Sequence, residues 1–300
     1  MNALFHILYG RERFYMERHS INLIMDQRQK YLGEQLGCKV ILVPLKEAVS
    51  DNFLRETVET AECIFLPTPV SKLEKIQDEF EKLKQALRKG QKVFGGKIPE
   101  DLKEWMEERE ISCWDLMEEE EVALANAKVT AEATICEILQ RSSYSIEGQK
   151  FVIAGYGRCA KELAWRLGAL GGKVTILARR AEARKQAKKD GFCAVDFCYA
   201  PEEAYGARTF VNTVPAMVLT EPVFAEMHRD TLVLDLASRP GGCDKKAAEK
   251  HQIPVVNALG LPGIYTTRTS AAILADAIRS KTVSPENGKK EKSWIFQIII

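Results

Sequence analysis

Residues 150–180 decide the fold of this chain, and they read KFVIAGYGRCAKELAWRLGALGGKVTILARR. The apolar run Lys150–Ala154 leads directly into a glycine-rich turn, and an amphipathic stretch begins at Arg158. A second apolar run, Lys173–Leu177, ends in a pair of arginines. Strand, glycine turn, helix and second strand in this order are typical of a dinucleotide-binding unit. The stretch predicts an α/β chain whose C-terminal part is a Rossmann domain, with a doubly wound parallel sheet.

The glycine turn has the spacing that binds pyrophosphate. Gly155 would permit the tight turn, Gly157 would let phosphate approach the backbone, and Ala160 would allow the helix to pack closely. The helix N-terminus would then face the phosphates. A glycine turn without any ligand is the alternative. We predict cofactor contacts from the turn and the first helical residues, Gly155, Tyr156, Gly157, Arg158, Cys159 and Ala160.

The end of the second strand indicates which cofactor is bound. NAD-binding domains usually place Asp or Glu there to hold the ribose 2′-hydroxyl, but this sequence has Ala178, Arg179 and Arg180. Guanidinium groups suit a 2′-phosphate, because they form charge-assisted bonds with phosphate oxygens. We therefore predict NADP, held by Arg179 and Arg180. Two solvated residues at a helix start are the alternative.

Further strands are predicted at Cys193–Phe197, Thr209–Val214, Thr231–Leu236 and Pro254–Asn257. Turns that contain Pro or Gly follow the last three, at the sheet edge where cofactors bind. Together they could form the wall of a nicotinamide pocket, although ordinary loop residues explain any one of them equally well. The cofactor candidates in these turns are Asn212, Thr213, Val214, Pro215, Asp235, Leu236, Ala237, Ser238, Gly260, Leu261 and Pro262.

The N-terminal part predicts a second, flavodoxin-like α/β domain. Its expected strands are Lys39–Val43, Glu62–Leu66, Lys92–Phe94 and Ile111–Cys113. Apolar residues at helical spacing between 73 and 87 indicate a surface helix with one buried stripe, and a coiled-coil seam is the alternative. The expected domains are 1–118 (substrate and catalytic), a bridging helix at 119–148, 149–265 (Rossmann), a helix at 266–282 that returns to the first domain, and a flexible tail at 283–300.

Composition excludes several classes of function. Lys+Arg 43 against Asp+Glu 42 gives a net charge of +1, so no overall field attracts nucleic acid or a membrane surface. The 8 cysteines lack Cys-x-x-Cys pairs, and the 4 histidines are isolated, so no metal site is expected. We expect a cytoplasmic protein without a membrane span. The apolar tail Trp294–Ile300 is too short to cross a bilayer; it could dock on a partner, pack on its own chain or be disordered.

Several sequence segments indicate a particular protein family, which the fold alone does not. IAGYGRCAKELAWRLGALGGKVTILARR, NTVPAMVL, LDLASRPGG and ALGLPG occur in this order in the C-terminal part. MDQRQ at 25–29, LPTPV at 66–70 and NAKVTAE at 126–132 occur in the N-terminal part and the following helix. Together they resemble the family of dipicolinate synthase A subunits across roughly residues 22 to 280. The likeness is thinner in the N-terminal part.

This resemblance implies oxidation of a dihydrodipicolinate to dipicolinate during sporulation, with a nicotinamide cofactor. A small dicarboxylate needs cationic and hydroxyl donors, and we select Arg28, Thr130 and Arg268 as catalytic-site candidates. Arg268 stands where the family has lysine. Surface positions for the arginines and a packed helix position for Thr130 are the alternatives. The resemblance also implies a flavoprotein-like partner, the B subunit of dipicolinate synthase, with a homodimer possible. A 2-hydroxy or amino acid dehydrogenase and a non-catalytic NADP(H)-binding regulatory subunit remain the rival functions.

Overall fold

The structure, a computed structural model, describes residues 20–24, 26–37, 39–42, 51–238 and 240–282. The chain divides into two compact units. Unit 1 consists of the described residues of Met1–Val122 and Thr267–Ile300, and unit 2 is Ala123–Thr266. Met25, Cys38, Val43, Arg239, two of the histidines (His6 and His19) and the apolar tail lie outside the described residues.

Unit 1 is an α/β layer around a parallel sheet. Its strands are β1 (Ser20–Ile24), β2 (Lys39–Leu42), β3 (Cys63–Phe65), β4 (Lys92–Gly95) and β5 (Ser112–Asp115). Its helices are α1 (Gln27–Leu36), α2 (Asp51–Glu59), α3 (Gln77–Ala86) and α4 (Glu100–Glu107), the start of α5 (Glu120–Arg141) and, from the far end of the chain, α11 (Thr267–Thr282). A 3-10 segment, Val70–Ile76, precedes α3.

The strands of unit 1 pair in the order β2-β1-β3-β4-β5, all in parallel. This is the flavodoxin-like order, as predicted. Alternate residues of β3 point to opposite faces, so Phe65 packs with α1 and α11 while Ile64 packs with α2, α3 and α4. The apolar stripe predicted between residues 73 and 87 is buried in the core that contains Ile64. The predicted single helix is divided, however, because residues up to Ile76 form a 3-10 segment and α3 begins at Gln77.

Unit 2 is built in the same way around a larger sheet. Its strands are β6 (Lys150–Ala154), β7 (Lys173–Leu177), β8 (Cys193–Val195), β9 (Thr209–Asn212), β10 (Leu232–Asp235) and β11 (Val255–Asn257). Most of α5 belongs to unit 2. The other helices of this unit are α6 (Arg158–Ala169), α7 (Ala181–Lys189), α8 (Ala200–Ala204), α9 (Glu221–Ala225) and α10 (Lys245–Lys250). Short 3-10 segments occur at Phe197–Tyr199 and Leu261–Gly263.

The strands of unit 2 pair in parallel in the order β11-β10-β9-β6-β7-β8. This is the doubly wound Rossmann order, so the predicted fold class is confirmed. Phe151 and Ile153 of β6 enter one core, and Val152 and Ala154 enter the core on the other face. The order change between β6 and β9 creates the crevice where such sheets bind ligands.

Helix α11 completes unit 1 from the far end of the chain. It packs against α1, and Leu274 and Ile278 are buried beside Leu32 and Leu36. At its C-terminal end, Arg279 donates a hydrogen bond of 2.8 Å to the Gln35 carbonyl. Residues separated by more than two hundred positions therefore form one core.

Strand β1 is absent from the sequence prediction. Its sequence, SINLI, carries Ser20 and Asn22, and both side chains are buried. Asn22 Nδ2 donates 2.6 Å to the Gln29 carbonyl, and Gln29 Nε2 donates 2.7 Å to Asn22 Oδ1. This exchange satisfies the amide of Asn22 inside the fold, which is why a polar residue is tolerated in a central strand.

Several predicted strands end earlier than expected. Strand β8 stops at Val195, because Asp196 caps the 3-10 segment through a 3.3 Å bond from Cys198 N–H. Strand β9 stops at Asn212, where the chain turns. Among the described residues, no helix has the length and apolar character needed to cross a membrane.

Candidate functional site

The turn after β6 contains two glycines, and the reason for glycine differs between the two positions. Gly155 has φ +98°, and a Cβ there would lie 2.5 Å from Thr213 Oγ1, so the fold itself requires glycine. Gly157 has a negative φ, and a Cβ there would have no heavy atom within 4 Å. Nothing in the described chain therefore excludes a side chain at Gly157. The open space lies at the start of α6, where a phosphate would bind, so the turn fits a dinucleotide.

Helix α6 packs tightly behind this turn. Ala160 is fully buried against the apolar residues of β6 and β7. Gly157 precedes the helix without a side-chain capping bond, and the first turn of a helix attracts anions through its amides and dipole. The hydroxyl of Tyr156, between the two glycines, donates a hydrogen bond of 2.7 Å to Asp190 at the end of α7. Burial, followed by this contact, raises the pKa of Tyr156.

A buried polar network fixes the turns after β9 and β10. Asn212 Nδ2 donates 2.9 Å to Asp235 Oδ1 and 3.0 Å to the Val214 carbonyl. Asp235 also accepts 3.1 Å bonds from the amides of Ala237 and Gly242. Since Asn212 and Asp235 are at most 3% exposed, their side chains shape the turns from inside. The predicted cofactor contacts of these two residues would come from the backbone they position.

Thr213 links this network to the glycine turn, because its hydroxyl donates 2.7 Å to the Ala154 carbonyl. Pro215 and Ser238 are exposed, while Val214 and Leu236 are half-buried and Ala237 is buried. The third turn begins at Gly260 in the left-handed region, with φ +70°. Leu261 and Pro262 follow and are buried, and Leu261 packs against Ala133 of α5. The cofactor contacts of all these residues stay predictions.

Arg179 and Arg180 lie exposed at the end of β7. Their side chains form no hydrogen bond or ion pair with any residue that the structure describes. A third arginine, Arg184, was not predicted. Its Nη1 donates 2.7 Å and 2.6 Å to the carbonyls of Ala178 and Arg179 and pairs with Asp196. Arg184 therefore holds the turn, whereas the side chains of Arg179 and Arg180 remain exposed to solvent.

Arg28 lies in the first turn of α1 and is 2% exposed, so the alternative of a helix-surface residue is wrong. Its Nη2 donates to the Thr68 carbonyl, and Nη1 donates 3.4 Å to Ser270 Oγ of α11. Its Nε has no partner among the described residues. Burial lowers the pKa of Arg28, and the charge of Asp26 opposes this effect. A buried cation that is bonded only to neutral oxygens is suited to bind an anion.

Arg268 lies near the start of α11 and is exposed. Its guanidinium carbon is 4.4 Å from the ring centroid of Tyr31, one turn after Arg28 on α1. Arg28 contacts Ser270, which follows Arg268 by two positions. The structure therefore brings both predicted arginines to the same pair of helices in unit 1.

Thr130 belongs to unit 2 and is half-buried on α5. The Thr130 hydroxyl donates 2.7 Å to the Asn126 carbonyl and accepts a 3.4 Å bond from Asn126 Nδ2. The hydroxyl proton is therefore already used within the helix. A carboxylate would have to displace this bond, or bind the second N–H of Asn126. The role of Thr130 stays a prediction.

The sequence reasoning also missed an ion pair next to Arg28. Lys72, in the 3-10 segment, bonds the Asp26 carboxylate, and the exposed fractions of these side chains are 23% and 16%. Asp26 also caps α1, accepting 2.9 Å from the Gln29 amide. The signal was present in the sequence, since an Asp directly before a helix is a common cap. Neither His228 nor His251 lies in these groups; each contacts a surface carboxylate of unit 2.

Comparison with known proteins agrees with this architecture. No family model matches the chain. The sequence is 35% identical over 176 residues to the A subunit of dipicolinate synthase from Bacillus subtilis (strain 168), a match that spans 58% of this chain and 59% of that protein. The chain thus matches less than two thirds of the length of this curated relative.

Two solved structures cover more of the chain. The A subunit of dipicolinate synthase from Bacillus halodurans superposes with a TM-score of 0.71 at 26% identity, over 89% of this chain and 98% of the other. The corresponding chain of dipicolinate synthase from Bacillus subtilis gives 0.68 at 25% identity, over 87% and 94%. The resemblance inferred from the sequence segments is therefore confirmed.

Proposed function

We propose that this chain is the oxidoreductase subunit of a dipicolinate synthase, which oxidises dihydrodipicolinate to dipicolinate during sporulation with NADP as cofactor. The observation that carries the proposal is the 35% identity to the A subunit of dipicolinate synthase. The likeness of the whole fold supports it. Unit 2 is the cofactor domain in this proposal, and unit 1 is the substrate domain.

The cofactor would be held by groups with distinct tasks. The space at Gly157 and the first turn of α6 would receive the pyrophosphate. Arg179 and Arg180 would bond the 2′-phosphate, because both are exposed and neither forms an ion pair with a described residue. The turns held by Asn212 and Asp235 would shape the nicotinamide side. When bound, the oxidised nicotinamide supplies the acceptor for a hydride.

The substrate presents two carboxylates, and unit 1 offers cations for them. Arg28 would bond one carboxylate in exchange for the neutral oxygens of Thr68 and Ser270. Because Arg28 is 2% exposed, the ligand reaches it only after one of these groups moves. Arg268, stacked on Tyr31, would hold a carboxylate from the solvent side. Fixing both ends of a flat ring orients the carbon that loses the hydride.

The partner is part of the proposal. The relative is one subunit of a synthase, which supports a second subunit that works with this chain. The flavoprotein-like character of that second subunit is part of the proposal. Whether this chain also forms a homodimer is a separate prediction. The experiment should therefore contain both subunits from one genome, co-expressed and purified together.

The test supplies the dihydrodipicolinate pathway intermediate with NADP⁺ or NAD⁺, and follows nicotinamide reduction by absorbance and dipicolinate by chromatography. One NADPH should form for each dipicolinate, and a complex that contains Gly157→Val should form neither. Cofactor binding without turnover in the complete complex would instead support a regulatory NADP(H)-binding subunit. Turnover of 2-hydroxy or amino acids alone would support the other rival.

A further inference from the structure

Lys72 is held by the same turn that holds Arg28. The Thr68 carbonyl accepts from Arg28 Nη2, and the Lys72 amide donates 3.2 Å to the carbonyl of the next residue, Pro69. From the 3-10 segment, Lys72 Nζ reaches Asp26, two positions before Arg28 on the chain. The side chain of Lys72 is 23% exposed, so it is accessible to a small ligand. The backbone thus fixes an amine beside the proposed carboxylate site.

Three charged groups act on Lys72. Asp26 and Arg28 face it from the start of α1, and Lys75 faces it from its own segment. One of the three is a carboxylate, and the other two are cations. Burial lowers the pKa of Lys72, the Asp26 carboxylate raises it, and the charges of Arg28 and Lys75 lower it further. The net direction is downward, so the neutral amine forms at a lower pH than in an ordinary lysine.

The oxidation needs a base. The ring must lose a hydride from one saturated carbon and a proton from a neighbouring position before it becomes aromatic. The hydride takes its electron pair to the oxidised cofactor, and the electrons of the second C–H bond stay in the ring as a new π bond. The proton needs an acceptor within hydrogen-bond reach, and a lysine amine can be one.

We propose that Lys72 is this proton acceptor, a role that rests on the proposed function. Its unprotonated Nζ forms a new N–H bond with the proton that leaves the ring, and the resulting ammonium is stabilised by Asp26. Asp26 is then a positioning residue, since its other oxygen is fixed by the cap of α1. The ammonium returns its proton to solvent after the product leaves.

The first experiment uses the cofactor-free chain and dipicolinate, which is the product and stays doubly ionised between pH 7 and 9. Its negative charge should draw a proton onto Lys72. Calorimetric titration in two buffers with different ionisation enthalpies measures this uptake. The wild type should take up a fraction of a proton that grows with pH, and Lys72→Met should take up none. Lys75→Met removes a neighbouring exposed lysine whose charge lowers the pKa of Lys72, so this variant should still take up a proton, with the uptake shifted to higher pH.

The second experiment measures kcat of the two-subunit complex against pH. Because the base must be unprotonated, kcat of the wild type should rise with pH through the range in which Lys72 loses its proton. Lys72→Met should lower kcat by about 100- to 10,000-fold and flatten this rise. Lys72→Arg keeps a cation for Asp26 but cannot accept a proton at these pH values, so it should stay folded and bind dipicolinate with equally low kcat.

These measurements separate the two proposals. Suppose that the wild type makes dipicolinate, while Lys72→Met keeps the proton uptake, the rise of kcat with pH and a kcat within tenfold of the wild type. The role of Lys72 is then overturned, and the proposed function of the chain stands. Active Lys72→Arg would do the same. If the wild-type complex neither binds dipicolinate nor makes it, the proposed function fails and the role of Lys72 fails with it.

Discussion

Arg28 of unit 1 and the pair Arg179 and Arg180 of unit 2 lie in opposite environments. Arg28 of unit 1 is buried and bonded to a carbonyl and a hydroxyl. Arg179 and Arg180 of unit 2 are exposed and have no bonded partner among the described residues. A buried guanidinium loses most of its hydration, so an arriving carboxylate gains a strong and oriented bond. Exposed guanidinium groups attract phosphate more weakly, and salt screens them. The Arg28 site should therefore select its ligand by shape, and the site at Arg179 and Arg180 should select its ligand by charge.

The largest effect should come from Gly157→Val, which tests whether unit 2 binds a dinucleotide at all. The side chain would enter open space, so the fold should persist while the phosphate is excluded. NADP affinity should fall by at least about 100-fold, and dipicolinate binding to unit 1 should not change. Isothermal titration measures both affinities, and thermal unfolding checks the fold.

Gly155→Ala is the matched control, because its Cβ would lie 2.5 Å from Thr213 Oγ1 at a φ of +98°. This variant should unfold at a lower temperature than the wild type, while Gly157→Val should not. Equal destabilisation by both changes would contradict the view that only Gly155 is required by the fold. Unchanged NADP affinity in a folded Gly157→Val variant would contradict the phosphate site at Gly157.

The second prediction concerns the buried arginine. Arg28→Ala should weaken dipicolinate binding by about 1.5–3 kcal/mol, since a charged hydrogen bond is lost. NADP affinity should stay the same. Arg28→Lys keeps the charge but loses the planar fork, so it should recover only part of the binding. Full recovery by Lys would mean that charge alone matters in unit 1, and the contrast with unit 2 would disappear.

Cofactor choice gives the third prediction. Removing Arg179 and Arg180 should lower NADP affinity by about tenfold for each side chain at low salt, and by less at high salt. NAD affinity should change little, because NAD lacks the 2′-phosphate. Lys185→Ala removes one exposed charge from α7, the helix that follows these arginines, and serves as control. If the wild type binds both cofactors equally, or the double variant loses both equally, these arginines are only solvated residues.

The smallest effect belongs to Arg268, whose stacking contact is exposed. Arg268→Ala should raise the KM for the dihydrodipicolinate only a few-fold, since exposed cation–π and ionic contacts contribute about 1 kcal/mol or less. Arg268→Lys should retain most of the activity. Tyr31→Leu should reproduce part of the Arg268→Ala effect because it removes the ring under the guanidinium. A larger loss for Arg268→Ala than for Arg28→Ala would reverse the assignment of the two arginines.

The sequence predicts unit 2 better than unit 1 for a physical reason. Strands β6 and β7 have the predicted bounds, because each is a short run of mostly apolar residues next to a glycine turn. Strand β1 escapes the same reasoning, since Asn22 interrupts the apolar pattern and becomes acceptable only through Gln29, a partner that the fold supplies.

The same limit applies to the candidate site. Arg28 was selected from a resemblance, but its burial depends on Thr68 and Ser270, which are distant in the chain. Asp235 was selected from its strand-end position, whereas its side chain is used by the amides around it. Lys72 carried no motif at all. Position along a strand is visible in a sequence, while the partner of a polar side chain is not.

The origin of α11 at the far end of the chain has a consequence for synthesis. Unit 2 is continuous, but unit 1 lacks α11 until residues 267–282 have been made. At roughly 5–20 residues per second, the intervening segment takes on the order of 10 s to emerge from the ribosome. During this time the apolar face of α1, with Leu32 and Leu36, has no α11 to cover it. Unit 2 can therefore finish folding first, and α11, the last helix among the described residues, then completes the unit that was begun first.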